Sequence, residues 1–244
     1  MSRTMLELRE LVKHYRVGEG EPIHAVDGLS LSVAAGELVA LYGPSGSGKT
    51  TLLMLIAALL RPDGGSVIVN EREVSHLSDR EAARYRLLEL GFVRQSLNLV
   101  QGVSAIDNAA LKLLGTNIGA REARRRVKPL LEQLGLGDRL RHRPEQLSMG
   151  ERQRVMIARA LSTQPKLILA DEPTGSLDSN RSGEVLELLR GISHEHITAI
   201  VLVTHDQLAA AYADRAYALR DGRLLDAEPE PAAAVLASGG ARLG

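Results

Sequence analysis

A glycine-rich stretch in the first quarter of the chain has the residue types and spacing needed to bind phosphate. It consists of Gly43, Pro44, Ser45, Gly46, Ser47, Gly48, Lys49 and Thr50. This is the complete P-loop pattern, in which glycines let backbone N–H groups surround phosphate oxygens. The lysine would reach the outer phosphates, and the threonine hydroxyl would bind Mg²⁺. We therefore predict that this stretch binds a nucleoside triphosphate.

The residues on either side of the loop support this interpretation. A glycine-rich turn could match the pattern by chance, but here a continuous apolar run, residues 38–42, predicts a buried strand directly before it. An apolar helix is predicted after it, from Thr51 to Leu60. Strand, loop and helix in this order are the context that a P-loop requires, and the helix N-terminus adds its positive dipole end. Thr51 completes the predicted nucleotide-binding set of this region.

Two adjacent acids follow a second buried strand. The apolar residues 167–170 run directly into Asp171 and Glu172, which places both carboxylates at the carboxyl edge of a sheet, where open α/β folds bind ligands. Taken alone, such a pair is often only the polar start of a loop. Downstream of a complete P-loop, we predict that Asp171 shares Mg²⁺ with Thr50 and that Glu172 activates or orients the attacking water.

A third motif, at residues 147–153, marks the start of another helix. Ser148 and Glu151 have the spacing of a capping box, in which each side chain bonds the other residue's backbone N–H group. With Gly150 beside the capped helix start, the motif also predicts a second anion-binding site.

This third motif, Leu147-Ser148-Met149-Gly150-Glu151, resembles the signature of the ABC transporter ATPases, usually Leu-Ser-Gly-Gly-Gln or Leu-Ser-Gly-Gly-Glu. The resemblance runs from about residue 6 to residue 225. It implies a homodimer in which each ATP lies between the P-loop of one chain and Ser148 and Gly150 of the other. Met149 departs from the usual glycine, and we expect ATP binding to survive while closure or turnover slows.

The resemblance also implies roles for isolated residues. Tyr15 would stack on adenine, Gln95 would meet Mg²⁺ and water, and Asp178 lies in a loop that passes between paired subunits. His205 would contact the γ-phosphate. Without the family resemblance, these residues would be interpreted as a surface tyrosine, an isolated glutamine, an acidic loop residue and a polar residue that follows a strand. The predicted sets are catalytic residues Glu172, His205, Gln95 and Lys49, and metal-binding residues Thr50, Gln95 and Asp171.

Residues 96–108, 170–175 and 220–223 look most like the lipoprotein-release and macrolide-exporter branch. Its ATPases serve separate permeases that have few spans and large extracytoplasmic domains, and they transmit mechanical force across the membrane. The cell-division ATPase that works with a similar permease is an alternative, as is an ATP-dependent assembly switch with little hydrolysis. Intact Glu172 and His205 argue against the switch, whereas Met149 keeps it open. An ABC ATPase without a transporter would require a second ATPase domain, a coiled coil or zinc-binding cysteines, and none of these is present.

The remaining patterns predict the fold class. Alternating apolar residues at 6–12 and 29–33 indicate half-buried strands, and buried strands at 38–42, 166–170 and 199–203 alternate with helices. We predict an α/β fold: a P-loop NTPase core with a mainly parallel sheet, an N-terminal antiparallel β subdomain and an inserted helical subdomain. Residues 1–227 would form a single domain, with the helical subdomain at about 96–164, and residues 228–244 a flexible tail.

Composition narrows the function classes further. The 30 basic and 30 acidic side chains give no net charge, and aromatics make up 2%, which argues against nucleic-acid binding. The absence of cysteine excludes disulfides and thiol chemistry. The longest apolar run, residues 52–60, is far shorter than the roughly 20 residues needed to span a bilayer. We therefore expect a cytoplasmic protein that binds the inner face of the cell membrane through a separate permease.

Overall fold

The central sheet is largely parallel, as predicted. The structure is a computed structural model that describes residues 3–16, 22–94, 98–175 and 179–225, and Gln95, Asp178 and the tail 228–244 lie outside these described residues. In the described residues the sheet has the strand order β10-β9-β3-β8-β7-β6, with parallel pairing throughout except between β9 and β10. Its strands are β3 (Leu38–Tyr42), β6 (Leu90–Arg94), β7 (Leu167–Asp171), β8 (Ala199–Thr204), β9 (Arg215–Arg220) and β10 (Arg223–Leu224).

A second sheet, which is antiparallel, confirms the predicted N-terminal β subdomain. Its order is β2-β1-β4-β5, and its strands are β1 (Thr4–Tyr15), β2 (Ile23–Ala34), β4 (Gly64–Val69) and β5 (Arg72–Glu73). The pairing of β1 with β2 shifts register between Leu8 and Leu11, and Glu10 has a φ of 45°. This irregularity bends one long strand where the apolar alternation of the sequence is interrupted.

Seven α-helices lie in the described residues, together with short 3₁₀ turns at Gly137–Arg139 and Pro144–Gln146. The helices are α1 (Lys49–Ile56), α2 (Asp79–Leu88), α3 (Ala105–Leu114), α4 (Ala120–Gln133), α5 (Met149–Leu161), α6 (Ser179–His196) and α7 (Gln207–Ala210). The helix α1 ends before the predicted Leu60, because Ala58 adopts a left-handed φ of 49°. The N–H groups of Leu59 and Leu60 both return to the carbonyl of Met54, which closes the helix end.

The two faces of the central sheet belong to different cores. Leu38 and Ala40 of β3 point into a cluster that includes buried residues of α3, α4, α5 and α6. Val39 and Leu41, which alternate with them, point into a cluster formed with α1 and the antiparallel sheet. The helices that begin at the two predicted anion-binding motifs, α1 and α5, therefore pack on opposite faces of this sheet.

Among the helices of the described residues, none combines the length and the apolar character that crossing a bilayer demands.

Candidate nucleotide-binding and catalytic site

The phosphate loop between β3 and α1 needs its glycines for two distinct reasons. Gly46 and Gly48 have φ values of 85° and 103°, in the left-handed region that side chains disfavour. A Cβ atom on Gly43 would lie 2.0 Å from the carbonyl oxygen of Leu219, and one on Gly48 would lie 2.0 Å from that of Ala25. The loop is thus packed backbone to backbone between β9 and β2.

The turn between β9 and β10 supports the phosphate loop. The Gly222 N–H group donates to the carbonyl of Ser47 (3.1 Å), and the Gly222 carbonyl accepts from the N–H group of Asp27 (3.0 Å). Gly222 has a φ of 78°, and a Cβ there would lie 2.8 Å from the carbonyl oxygen of His24. Gly222 is not among the predicted site residues, although the Asp-Gly pair at 221–222 is a known signal for a tight hairpin turn.

The ammonium group of Lys49 lies inside the loop. Its Nζ donates to the carbonyls of Gly43 (2.7 Å) and Pro44 (2.8 Å) and to the hydroxyl of Ser47 (3.3 Å), and the residue is 8% exposed. Burial lowers the pKa of Lys49, while the charges of Glu172 and Asp171 act in the opposite direction. A phosphate oxygen would be a stronger, charged acceptor at the same position, as the predicted role requires.

Asp171 and Thr50, the predicted magnesium-binding residues, line one cavity of about 240 Å³. Arg94 also lines this cavity, and it sits directly opposite Asp171 in the register of β6 and β7. Burial is the main cause that raises the pKa of Asp171, followed by the charge of Glu172, whereas Arg94 and Lys49 oppose the rise. A hydroxyl and a carboxylate are oxygen donors of the kind that Mg²⁺ prefers, so the residues present fit this ion.

Glu172 and His205 follow two neighbouring parallel strands, β7 and β8. The Nδ1 atom of His205 lies 2.9 Å from Oε1 of Glu172. The N–H group of Glu172 donates to the carbonyl of Val203 (2.9 Å), and Glu172 has a φ of 48°. A non-glycine residue in this region carries strain of about 1 to 3 kcal/mol, a feature that concentrates at functional sites. The fold therefore fixes the Glu172 backbone at the sheet edge in a strained conformation.

The signature motif forms the predicted capping box at the start of α5. The hydroxyl of Ser148 accepts from the N–H group of Glu151 (3.2 Å), and the Glu151 carboxylate accepts from the N–H group of Ser148 (2.8 Å). Arg139 donates from Nε to the other oxygen of that carboxylate (3.1 Å). A Cβ atom on Gly150 would meet nothing within 4 Å among the described residues. Packing among the described residues of one chain therefore does not require a glycine at position 150.

Tyr15 ends β1 and pairs with Ile23 at the start of β2. It is 37% exposed, and the Nζ of Lys13 lies 5.9 Å from its ring centre. Because the Ala25 carbonyl lies against Gly48, this end of the hairpin borders the phosphate loop. The ring is accessible for the predicted stacking on a base.

The structure thus brings part of the predicted site together in one chain. Lys49, Thr50, Asp171, Glu172 and His205 share the carboxyl edge of the parallel strands. Ser148 and Gly150 belong to a helix on the other face of the sheet, and Gln95 and Asp178 lie outside the described residues. Arg94 is a further member of the site and is not among the predicted residues. No local pattern marks it, because its position depends on which strand pairs with β7.

Comparisons with known proteins agree with this architecture. The ABC transporter family model matches residues 26–175. The chain is 46% identical over 228 residues to the lipoprotein-releasing system ATP-binding protein LolD 2 of Chlorobaculum tepidum, covering 91% of this chain and 92% of that protein. It is also 41% identical to the macrolide export ATP-binding/permease protein MacB of Hyphomonas neptunium, covering 92% of this chain but 35% of that longer protein.

Solved structures show the same fold. A dimeric ATP-binding cassette in a post-hydrolysis state, with ADP and Pi bound, matches with a TM-score of 0.81 and 36% identity, over 93% of this chain and 99% of that one. The chain therefore belongs to the ABC transporter family, as one of its ATP-binding, ATP-hydrolysing cassettes.

Proposed function

We propose that this cassette is the motor subunit of a transporter: it binds ATP with Mg²⁺, closes as a homodimer, hydrolyses the nucleotide and drives a separate membrane permease. The observation that carries the proposal is the pairing of Glu172 with His205 beside the loop that Lys49 fills. A protein that used ATP only as an assembly signal would not need a glutamate on a strained backbone with its carboxylate held against a histidine at this edge. The alternative of a switch with little hydrolysis is therefore not favoured.

The residues divide the reaction between them. Lys49 would transfer its hydrogen bonds from the loop carbonyls to the outer phosphates, and the glycine-rich backbone would orient them. Glu172 would accept the proton of the attacking water through its carboxylate, while the bond between the γ-phosphorus and the ADP oxygen breaks. His205, whose side chain is 61% exposed against 16% for Glu172, is free to turn toward the γ-phosphate. Mg²⁺, held by Thr50 and Asp171, would neutralise charge on the phosphates.

A second copy of the chain would complete the site. The helices α1 and α5 pack on opposite faces of the sheet. The P-loop and the signature motif of one chain would therefore bind two different nucleotides. Ser148 and Gly150 would therefore contact the ATP held by the partner chain, and the dimer of the solved relative supports this arrangement. Met149, at the first turn of α5, is the feature expected to slow closure or turnover.

The type of transporter follows from the relatives. A lipoprotein-releasing ATP-binding protein covered over 92% of its length supports a role in export or force transmission, with the permease on a separate polypeptide. The cassette would then lie on the inner face of the cell membrane, bound to that permease. The cell-division type, with a similar permease, is the competing assignment within the same mechanism.

The decisive experiment uses Glu172→Gln, which keeps the shape of the side chain and removes its charge. We expect phosphate release to fall at least about 100-fold, as for loss of a general base, while ATP-dependent dimers accumulate in light scattering. Equal phosphate release from wild type and Glu172→Gln would contradict the proposed hydrolysis mechanism. The trapped dimer then serves as bait in solubilised membranes: a permease with few spans supports the branch, and a many-span importer would overturn it.

A further inference from the structure

A cluster of two histidines and one aspartate lies beside the phosphate loop and has no part in the proposed reaction. His14 in β1 and His24 in β2 pair in the strand register, with ring centres 3.9 Å apart. Asp27 follows on the same strand as His24. Within the described part of the chain, these three residues are the one group of potential metal ligands whose ligand atoms all lie within 4.8 Å of one another.

The separations within this cluster suit a shared ion better than direct hydrogen bonds. The Nε2 of His14 lies 3.8 Å from Oδ1 of Asp27, and the Nδ1 of His24 lies 3.7 Å from Oδ2. Both distances exceed hydrogen-bonding range. Ligand atoms around a tetrahedral Zn²⁺ are about 3.3 Å apart, from bond lengths of about 2.0 Å. Each of these two separations would therefore have to shorten by about half an ångström, and the three ligand atoms already lie within 4.8 Å of one another.

One ligand atom of the cluster has an unmet bonding requirement. Among the described residues, the buried Nε2 of His14 has no hydrogen-bond partner. Buried polar nitrogens in proteins are almost always paired, and an orphaned one calls for an explanation such as an ion. The backbone of His14 is held in place, because its N–H group donates to the carboxylate of Asp63 (2.7 Å).

Asp27 is ionised and oriented by a residue outside the cluster. Arg223 donates from Nε (2.9 Å) and Nη2 (2.7 Å) to Oδ2 of Asp27, which leaves Oδ1 to face His14. This hydrogen bonding is the main cause that lowers the pKa of Asp27. Ligating carboxylates are commonly positioned in this way by a second group. The positive charge of Arg223 also opposes a cation, so we expect moderate affinity.

We propose that His14, His24 and Asp27 form a binding site for a divalent transition-metal ion of the Zn²⁺ class, with water completing the coordination. Two imidazole nitrogens and one carboxylate are a typical donor set for such an ion, whereas Mg²⁺ and Ca²⁺ prefer oxygen ligands. The site is distinct from the magnesium position between Thr50 and Asp171.

The ion would cross-link the strands on which the phosphate loop rests. The Asp27 N–H group bonds the Gly222 carbonyl, and the Gly222 N–H group bonds the Ser47 carbonyl. The residue after His14 is Tyr15, at the end of the hairpin. We therefore expect the bound ion to stabilise this end of the antiparallel sheet and to raise the melting temperature.

The test is a Zn²⁺ titration of the full chain against a chromophoric chelator, without nucleotide and with millimolar Mg²⁺ to occupy oxygen sites. We expect one equivalent of Zn²⁺ to bind. His14→Gln and His24→Gln should each weaken binding at least about 10-fold. His194→Gln is the matched control, because His194 lies outside the cluster and pairs with Asp214 (3.2 Å). This variant should bind Zn²⁺ as tightly as wild type.

Two further readouts keep the test independent of ATPase activity and of folding defects. Co²⁺ should give the visible absorption of a low-coordinate site in wild type and lose it in His24→Gln, whose side chain is 48% exposed and replaceable without unfolding. Zn²⁺ should raise the melting temperature of wild type but not of that variant. Binding weaker than about 1 mM, or binding unchanged in both His14→Gln and His24→Gln, would overturn the site. Binding lost in His205→Gln alone would assign the ion to the Glu172 pair instead.

Discussion

The Nδ1 atom of the His205 imidazole lies 2.9 Å from Oε1 of the Glu172 carboxylate, across the ends of two parallel strands. The two partners differ in freedom. The Glu172 backbone is fixed by the Val203 carbonyl, whereas the His205 side chain is mostly exposed. The carboxylate is therefore the fixed member of the pair and the imidazole the member that can turn toward a substrate.

Replacing His205 by glutamine should separate catalysis from binding. We expect kcat to fall about 10- to 1,000-fold, because Glu172 loses its partner and the γ-phosphate loses a contact, while ATP affinity changes little. Steady-state phosphate release and equilibrium binding of ATP measure the two effects. His76→Gln, at an exposed position, is the control and should leave both unchanged. A His205 variant with full turnover would contradict a catalytic role.

Replacing Lys49 by methionine should strongly weaken nucleotide binding. The Lys49 ammonium is held by the carbonyls of Gly43 and Pro44, at the point where phosphates would take over its bonds. Losing a charge-assisted contact of this kind costs about 2 to 4 kcal/mol, or about 30- to 1,000-fold in affinity. Calorimetric titration with ATP measures the change. Lys128→Met removes an exposed lysine and should have no effect; an equal loss in both variants would exclude a specific role.

Two glycine variants should distinguish packing from function. Gly43→Ala places a Cβ 2.0 Å from the Leu219 carbonyl and should lower stability by more than about 2 kcal/mol. In Gly150→Ala the added Cβ has no neighbour within 4 Å among the described residues, so the melting temperature of this variant should stay near that of wild type. If Gly150 approaches nucleotide held by the partner chain, the same variant should impair ATP-driven dimerisation. Light scattering with Glu172→Gln as background reports dimerisation, and normal dimerisation would remove Gly150 from the interface.

The chain offers a natural control for the signature serine. Ser148 with Glu151 and Ser78 with Glu81 form the same capping box on α5 and α2. Either serine replaced by alanine should lower the free energy of unfolding by about 1 kcal/mol, the usual value of an N-cap. We expect only Ser148→Ala to reduce ATP turnover, since only that helix start is proposed to contact the nucleotide held by the partner chain. Equal turnover in the two variants would reduce the role of Ser148 to capping.

Lys112 gives the fold a predictable pH dependence. Burial lowers the pKa of its ammonium to about 8, although Nζ donates to the Leu90 carbonyl and the Thr163 hydroxyl. With a folded-state pKa below the unfolded value of 10.5, the unfolded chain binds more protons between these pH values. Stability should therefore rise as pH increases from about 8 toward 10, by about 1 to 2 kcal/mol.

Urea unfolding at pH 7.5 and 9.5 tests this slope. The free energy of unfolding of Lys112→Met should change less between these pH values than that of wild type. Lys128→Met, at an exposed position, should retain the wild-type dependence on pH. A wild-type slope that persists in Lys112→Met would assign the pH dependence to other groups.

Local patterns predicted the two anion-binding motifs and the buried strands because each depends on neighbours within a few residues. The P-loop of Gly43–Thr50 has its own strand and helix beside it, and the capping box of Ser148 and Glu151 spans one turn. The helix α2 was missed although Ser78 and Glu81 show the same spacing, because its residues 79–88 are too polar to show a clear apolar face. The strand β9 was missed because its pairing with β3 depends on residues far apart in the chain.

The sequence by itself determined which chemistry this chain carries, since the glycines, Lys49, Asp171 and Glu172 are identifiable from residue type and local order. Only the tertiary structure decided which groups meet. Strand order places Arg94 opposite Asp171 and aligns the ends of β7 and β8, so that Glu172 lies beside His205. It also brings the Gly222 N–H group to the carbonyl of Ser47, to which it donates. The same pairing of β1 with β2 gathers His14, His24 and Asp27. Such contacts arise from long-range pairing and burial, which no periodicity along the chain records.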